Sequence, residues 1–442
     1  MGSSSPPSPT PPHAVVLPYP AQGHVIPLME LSHRLVDRGF NITFVNTHFD
    51  HARVVRASLS GPRAETGPLR LVSCPDGLEP GTDRDDLGRL TLSIQEHMPG
   101  HLEELIQAAS ADPEQGPVTC VIADQTMPWA LDVAKKMGLR AVAFWPASAV
   151  MLATTLNIPN MINDGTIDKN GVPMEHRVIR LGPEMPPMNT AHFWWNHLGE
   201  PITEQIVFDY MARGNKSIET AEWVICNSFA HAEQPIFKHA PRIRPIGPLL
   251  PGLKPDRPVG QYWPEDSTCE EWLDQQLPKS VIYVAFGSFT VFDPRQFQEL
   301  ALGLEIMRRR FLWVVRPELT EKVNTAFPEG FEERVAGRGR MVGWSPQQRV
   351  LAHPSVTCFV SHCGWNSTME GITNGVPFLC WPYFADQFIK ESYICDTWKV
   401  GLRLCKDAEG IVTRGEIEAK MDMLLGNEEV MGRALELKEI AI

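Results

Sequence analysis

Residues 344–387 read WSPQQRVLAHPSVTCFVSHCGWNSTMEGITNGVPFLCWPYFADQ. A short apolar run at 341–343 leads into Trp344, and a second at 357–361 leads into His362. Gly364 then permits a tight turn, and Asn366 and Ser367 open a helical pattern. A third run at 376–380 leads to the loop that carries Asp386 and Gln387. Strand, turn, helix, strand is the pattern of a doubly wound α/β domain, whose ligands sit beyond the carboxyl ends of its strands. Trp344 and His362 stand at such ends, and Asp386 and Gln387 lie a short loop beyond another.

The residue types suit a nucleotide sugar. The flat indole of Trp344 can stack on a nucleobase, worth about 1–3 kcal/mol. Gln347 can hydrogen-bond a base or ribose. The unpaired N–H groups at the start of the helix after Gly364 attract a diphosphate without any lysine. Glu370 can accept from ribose hydroxyls, and the Asp386–Gln387 pair can accept from and donate to adjacent sugar hydroxyls. Plainer readings exist for each. Trp344 can be a core indole, and Ser367 with Glu370 matches a capping box that satisfies the helix start with no ligand.

Outward from this segment the same pattern recurs twice. Residues 13–18, 41–46, 118–123, 141–145 and 223–227 are predicted strands, with helices at 25–38 and around 129–137 between them. Residues 281–286, 311–315, 341–343, 357–361 and 376–380 form the second set. Residues 249–278, rich in proline and poor in periodic apolar residues, read as a linker. The expectation is two doubly wound Rossmann-like domains, 13–248 and 279–442, facing across a cleft. Residues 1–12 read as a disordered Ser/Pro tail. The irregular stretch 157–203 is either a flap over an apolar pocket or a packed excursion.

Composition narrows the partners. A net charge of −13 argues against nucleic acid and anionic membrane surfaces. Nine cysteines without a C-x-x-C pair point to reduced thiols and a cytoplasmic protein. No apolar run reaches membrane-spanning length. No G-x-G-x-x-G follows a strand with an acidic residue about 20 positions on, which counts against a nicotinamide enzyme. Asp83-Arg84-Asp85 is a D-x-D match without a preceding strand, so it reads as a solvated loop and no metal is expected.

In the first half, His24 follows the first predicted strand at the start of a helix, whose dipole disfavours imidazolium. Asp124 ends the predicted strand VTCVIAD. That strand can be a neighbour of the first in such a sheet, which would let Asp124 orient the imidazole.

The 344–387 segment resembles the C-terminal consensus of plant family 1 UDP-glycosyltransferases, and the similarity extends over nearly the whole chain. The resemblance implies a GT-B fold with a UDP-sugar in the second domain and a small lipophilic hydroxylated acceptor in the first. It implies that Trp344 and Ser345 hold uracil and that Gln347 and Glu370 hold ribose. Ser288, His362, Gly364, Asn366 and Ser367 match the diphosphate site, and Trp365, Asp386 and Gln387 the sugar-facing positions. Gln387 suggests UDP-glucose. His24 matches the family's base and Asp124 its partner, so inversion to a β-glucoside is implied, with UDP-glucose as co-substrate and no cofactor. Phenolics, flavonoids above all, suit a pocket near Phe384. Terpenoid or hormone-like acceptors, or a silent UDP-sugar binder, are the alternatives. A monomer is expected. Family members usually carry a further helix past the position of Ile442, so a truncated chain is expected as well.

Overall fold

The computed structural model describes residues 11–57, 67–182, 184–250, 260–316 and 327–441. Residues 1–10 of the expected tail, 251–259 of the expected linker, and Ile442 lie outside them.

Among the described residues thirteen strands make two parallel sheets. β1 (His13–Leu17), β2 (Asn41–Thr47), β3 (Leu69–Cys74), β4 (Val118–Asp124) and β5 (Arg140–Trp145) belong to the first. A small antiparallel hairpin, β6 (Val178–Ile179) and β7 (Met188–Asn189), interrupts it. β8 (Trp223–Cys226) and β9 (Ile243–Pro245) complete the order β3-β2-β1-β4-β5-β8-β9. The second sheet comprises β10 (Val281–Ala285), β11 (Arg310–Val314), β12 (Gly339–Val342), β13 (Val356–Ser361), β14 (Phe378–Cys380) and β15 (Gly401–Arg403). Its order is β12-β11-β10-β13-β14-β15. The central strands β1, β10 and β13 are buried at every position. Their sequences HAVVL, VIYVA and VTCFVS are nearly continuous apolar runs because helices cover both faces of each sheet. The chain therefore has the expected GT-B arrangement of two Rossmann-like sheets.

β1 pairs with β4, Leu17 opposite Ala123. This places Asp124 at the carboxyl edge beside the turn that leads into helix Gln22–Val36 and His24. In the second sheet β10, β13 and β14 are neighbours. The loops after them carry Ser288, His362 and Asp386 to one edge.

Several expectations change. The edge strands β3, β9 and β15 have no counterpart in the sequence reading. The long helix Leu87–Ser110 begins inside the polar run that contains Asp83 and Asp85. Those two are exposed, and the intervening Arg84 is pinned by Asp76 and by the carbonyls of Leu78, Glu79 and Thr82. Helix Thr268–Asp274 lies within the stretch read as a linker. In the irregular 157–203 stretch Trp194 and Trp195 are buried in the core of the first half, and Trp194 and Leu198 also line the cavity described below. Among the described residues no helix is long and apolar enough to cross a membrane.

The two halves are stitched by hydrogen bonds from buried indoles and backbone. Trp365 Nε1 donates to the Asn227 carbonyl at 2.6 Å, and Trp398 Nε1 to the Ala232 carbonyl at 3.0 Å. Asn366 Nδ2 donates to the Gly23 carbonyl at 2.9 Å, and the Ala385 N–H to the His197 carbonyl at 2.8 Å. Trp365→Phe keeps an aromatic ring, smaller than the indole, but leaves the Asn227 carbonyl unpaired at a buried seam. The expected loss is about 1–3 kcal/mol of unfolding free energy, read by urea denaturation.

Candidate active site

One cavity of about 520 Å³ runs between the carboxyl edges of both sheets. All but one of the site residues expected from the sequence line it: His24, Ser288, Trp344, Ser345, Gln347, His362, Gly364, Trp365, Asn366, Ser367, Glu370, Phe384, Asp386 and Gln387. Asp124 alone stands behind the wall, fully buried beneath His24.

His24 is the third residue of its helix, and its side chain is 27% exposed toward the cavity. Its Nδ1 lies 2.7 Å from Asp124 Oδ2. The other carboxylate oxygen accepts from the Thr126 N–H at 2.9 Å and from its hydroxyl at 2.6 Å. Asp124 is thereby fixed at both oxygens. One ring nitrogen of His24 is committed to it, which leaves Nε2 for the cavity.

Across the cavity, helix Trp365–Thr373 begins at the N-cap Gly364, and no side chain caps it. The capping-box alternative is thus not realised. Ser367 Oγ and the Glu370 carboxylate both accept instead from Gln347 Nε2. Gln347 Oε1 and Ser345 Oγ both meet the hydroxyl of Tyr283, at 3.0 and 2.7 Å. Tyr283 was invisible to motif reading because it sits inside β10. Its place as the single hydroxyl in an otherwise apolar buried strand, VIYVA, was the available signal.

His362 is packed between two glycines. A Cβ on Gly287 would lie 2.5 Å from its Nε2, and one on Gly364 2.3 Å from the same atom. Gly287 also has φ of +69°, so a side chain there is excluded twice over. Burial lowers the His362 pKa to about 4, helped by the nearby Lys390, so the ring is neutral at physiological pH. Cys363 and Ala385, next to His362 and Asp386, hold φ of +65° and +49°. Non-glycine residues in that region are strained, and such strain gathers where loops must present groups at fixed angles.

At the far end Gln387 Oε1 accepts from the N–H groups of Tyr383 and Phe384, at 2.8 and 2.9 Å. The amide orientation is thus set, and its NH₂ is what remains to offer. Asp386 is paired with Lys390, which the sequence reading passed over. Its spacing of four from Asp386 was the available signal. Tyr19, Trp145, Met151, Trp194, Phe289 and Phe384 add apolar lining to the cavity. Phe289 and Phe384 lie parallel, ring centres 6.0 Å apart.

Known proteins carry the same plan. The chain is 43% identical over 439 residues to UDP-glycosyltransferase 83A1 of Arabidopsis thaliana, covering 98% of this chain and 92% of the other. It is 35% identical to linamarin synthase 1 of Manihot esculenta, covering 100% and 94%. A crystal structure of UDP-glucose: anthocyanidin 3-O-glucosyltransferase with UDP superposes with a TM-score of 0.80 at 26% identity, covering 97% and 94%. Residues 219–425 match the family model of UDP-glucuronosyl and UDP-glucosyl transferases. The chain belongs to the plant family 1 UDP-glycosyltransferases. It is an enzyme that takes a UDP-sugar as donor.

Glu370 allows a pH test. Burial pushes its carboxyl up to about 7, partly offset by Gln347. A raised acid pKa favours the neutral form in the fold, so its contribution to stability is full below the unfolded value near 4.5 and is lost as pH rises through 7. An ionised carboxylate is a better hydrogen-bond acceptor for a hydroxyl than a neutral one. UDP-glucose should therefore bind up to about tenfold more tightly at pH 8 than at pH 6. Glu370→Gln should flatten that profile in calorimetric titrations.

Proposed function

We propose that this enzyme is an inverting glucosyltransferase that moves glucose from UDP-glucose to a neutral hydroxyl of a small aromatic acceptor. The observation that carries the reading is the 2.7 Å contact of His24 Nδ1 with the buried Asp124, facing a helix N-terminus across one cavity.

The chemistry follows from the placement. The acceptor hydroxyl gives its proton to His24 Nε2 as its oxygen attacks the anomeric carbon. The imidazolium that develops is stabilised by Asp124, held in place by Thr126. The bond to the UDP oxygen breaks on the opposite side. The charge left on the diphosphate meets the N–H groups at the start of helix Trp365–Thr373, with Ser288 and His362 beside them. A single displacement inverts the anomeric centre, so α-linked glucose becomes a β-glucoside. We infer that no metal is needed, because these groups are enough to hold the leaving UDP.

Glucose is favoured by the fixed NH₂ of Gln387 next to Asp386. The acceptor class is supported by the apolar lining, whose polar atoms are occupied within the protein. The Tyr19 hydroxyl meets Thr91 at 3.2 Å, Trp145 Nε1 donates to the Ser148 carbonyl, and Trp194 Nε1 donates to Thr155 Oγ1. This lining therefore selects flat neutral molecules by shape, phenolics and flavonoids first. An anthocyanidin in the name of a similar structure agrees with this. Nine free thiols fit a cytoplasmic location, and a site complete within one chain fits a monomer.

His24→Ala should lower kcat by at least about 10²-fold while UDP-glucose binding stays within about twofold. Normal turnover by that variant would remove His24 as the base. Turnover should also persist undiminished in EDTA, and loss that manganese restores would contradict the metal-free reading.

A further inference from the structure

Lys390 is 2% exposed, yet it lines the sugar end of the cavity together with Asp386 and Gln387. A lysine taken out of water must be paired to be tolerated. Its Nζ is bound to Asp386 Oδ2, one turn earlier, and sits 5.7 Å from the ring centre of Trp365. Glu233, a fully buried carboxylate of the first half, adds attraction from behind. Glu233 is itself held by the N–H groups of Ala149 and Val150 and by the Ser228 hydroxyl. Lys390 is therefore anchored from both halves of the protein.

Only one Asp386 oxygen is engaged by that anchor, which leaves Oδ1 for the cavity. Beside it Gln387 is clamped through its Oε1 and offers only its NH₂. The end wall is thus an ordered acceptor next to an ordered donor. The loop amides of Tyr383 and Phe384 order the donor, and Lys390 orders the acceptor.

We propose that Lys390 is a positioning residue for sugar discrimination: by holding Asp386 in one orientation it sets which hydroxyl configuration the donor pocket accepts. This rests on the reading of Asp386 as a sugar-facing residue. A carboxylate released from the lysine can rotate and meet an axial or an equatorial hydroxyl equally well. Uracil, ribose and diphosphate contacts lie elsewhere along the cavity and do not depend on it.

The test uses the full chain with Lys390→Met, Lys390→Arg and Asp386→Asn. It measures the Kd of UDP, which lacks the sugar, and kcat/KM for UDP-glucose and UDP-galactose. Lys390→Met should leave UDP binding within about twofold and cut kcat/KM for UDP-glucose by about tenfold or more. The glucose-to-galactose ratio should shrink by a similar factor, and Lys390→Arg should restore most of it. An unchanged ratio in Lys390→Met, with Asp386→Asn impaired, overturns the role of Lys390 alone. An unchanged ratio in Asp386→Asn overturns the sugar-facing reading beneath it. A parallel loss of UDP binding in both lysine variants shows that Lys390 supports the fold instead, and also overturns the proposal.

Discussion

The parallel pairing of β1 with β4 is the constraint on which the site depends. It puts the end of one strand beside the turn that follows the other, so that Asp124 lies under His24 although 100 residues separate them. Asp124 can be a buried carboxylate there because Thr126, two residues on, supplies both a backbone and a hydroxyl donor. The first half thus delivers an oriented imidazole on a rigid edge. The second half repeats the device, with β10, β13 and β14 side by side and their loops converging on the same cavity.

A protein of net charge −13 that binds a nucleotide diphosphate must attract it locally. The start of helix Trp365–Thr373 is left uncapped, so its N–H groups face the cavity. Gln347, Ser367 and Glu370 bond to one another instead. Lys390, a buried lysine at the site, is compensated by Asp386 and Glu233 and so adds structure more than net field. The seam bonds from Trp365, Asn366 and Ala385 run from the cavity-lining loops of the second half to the first. Residues that line the cavity therefore also hold the two sheets together.

Much of this was legible in the residue order. Apolar runs of five or six located every central strand, since strands covered on both faces cannot hide their composition. His24 and Asp124 could be paired because strand adjacency in a doubly wound sheet is restricted. The edge strands escaped because half-exposed edges carry mixed residues, such as Leu69–Cys74. Helix Leu87–Ser110 was obscured by the acidic run at its start and by Pro99 within it. Lys390 escaped for a different reason. Its burial depends on Glu233 and Trp365, which lie far away in sequence, and a lysine with an aspartate four residues before it looks like any surface pair. The likeness of Ser367 and Glu370 to a capping box was a false signal, because Gln347 claims both side chains.

The account stands or falls on whether Asp124 works through His24. The direct measurement is kcat of Asp124→Asn at saturating UDP-glucose and acceptor, alongside the Kd of UDP-glucose. Asparagine keeps the size and the contact with Thr126 but offers no negative charge to the imidazolium. The account predicts a fall in kcat of about 10²-fold or more with donor binding within about twofold. A kcat near that of the unaltered enzyme would contradict it.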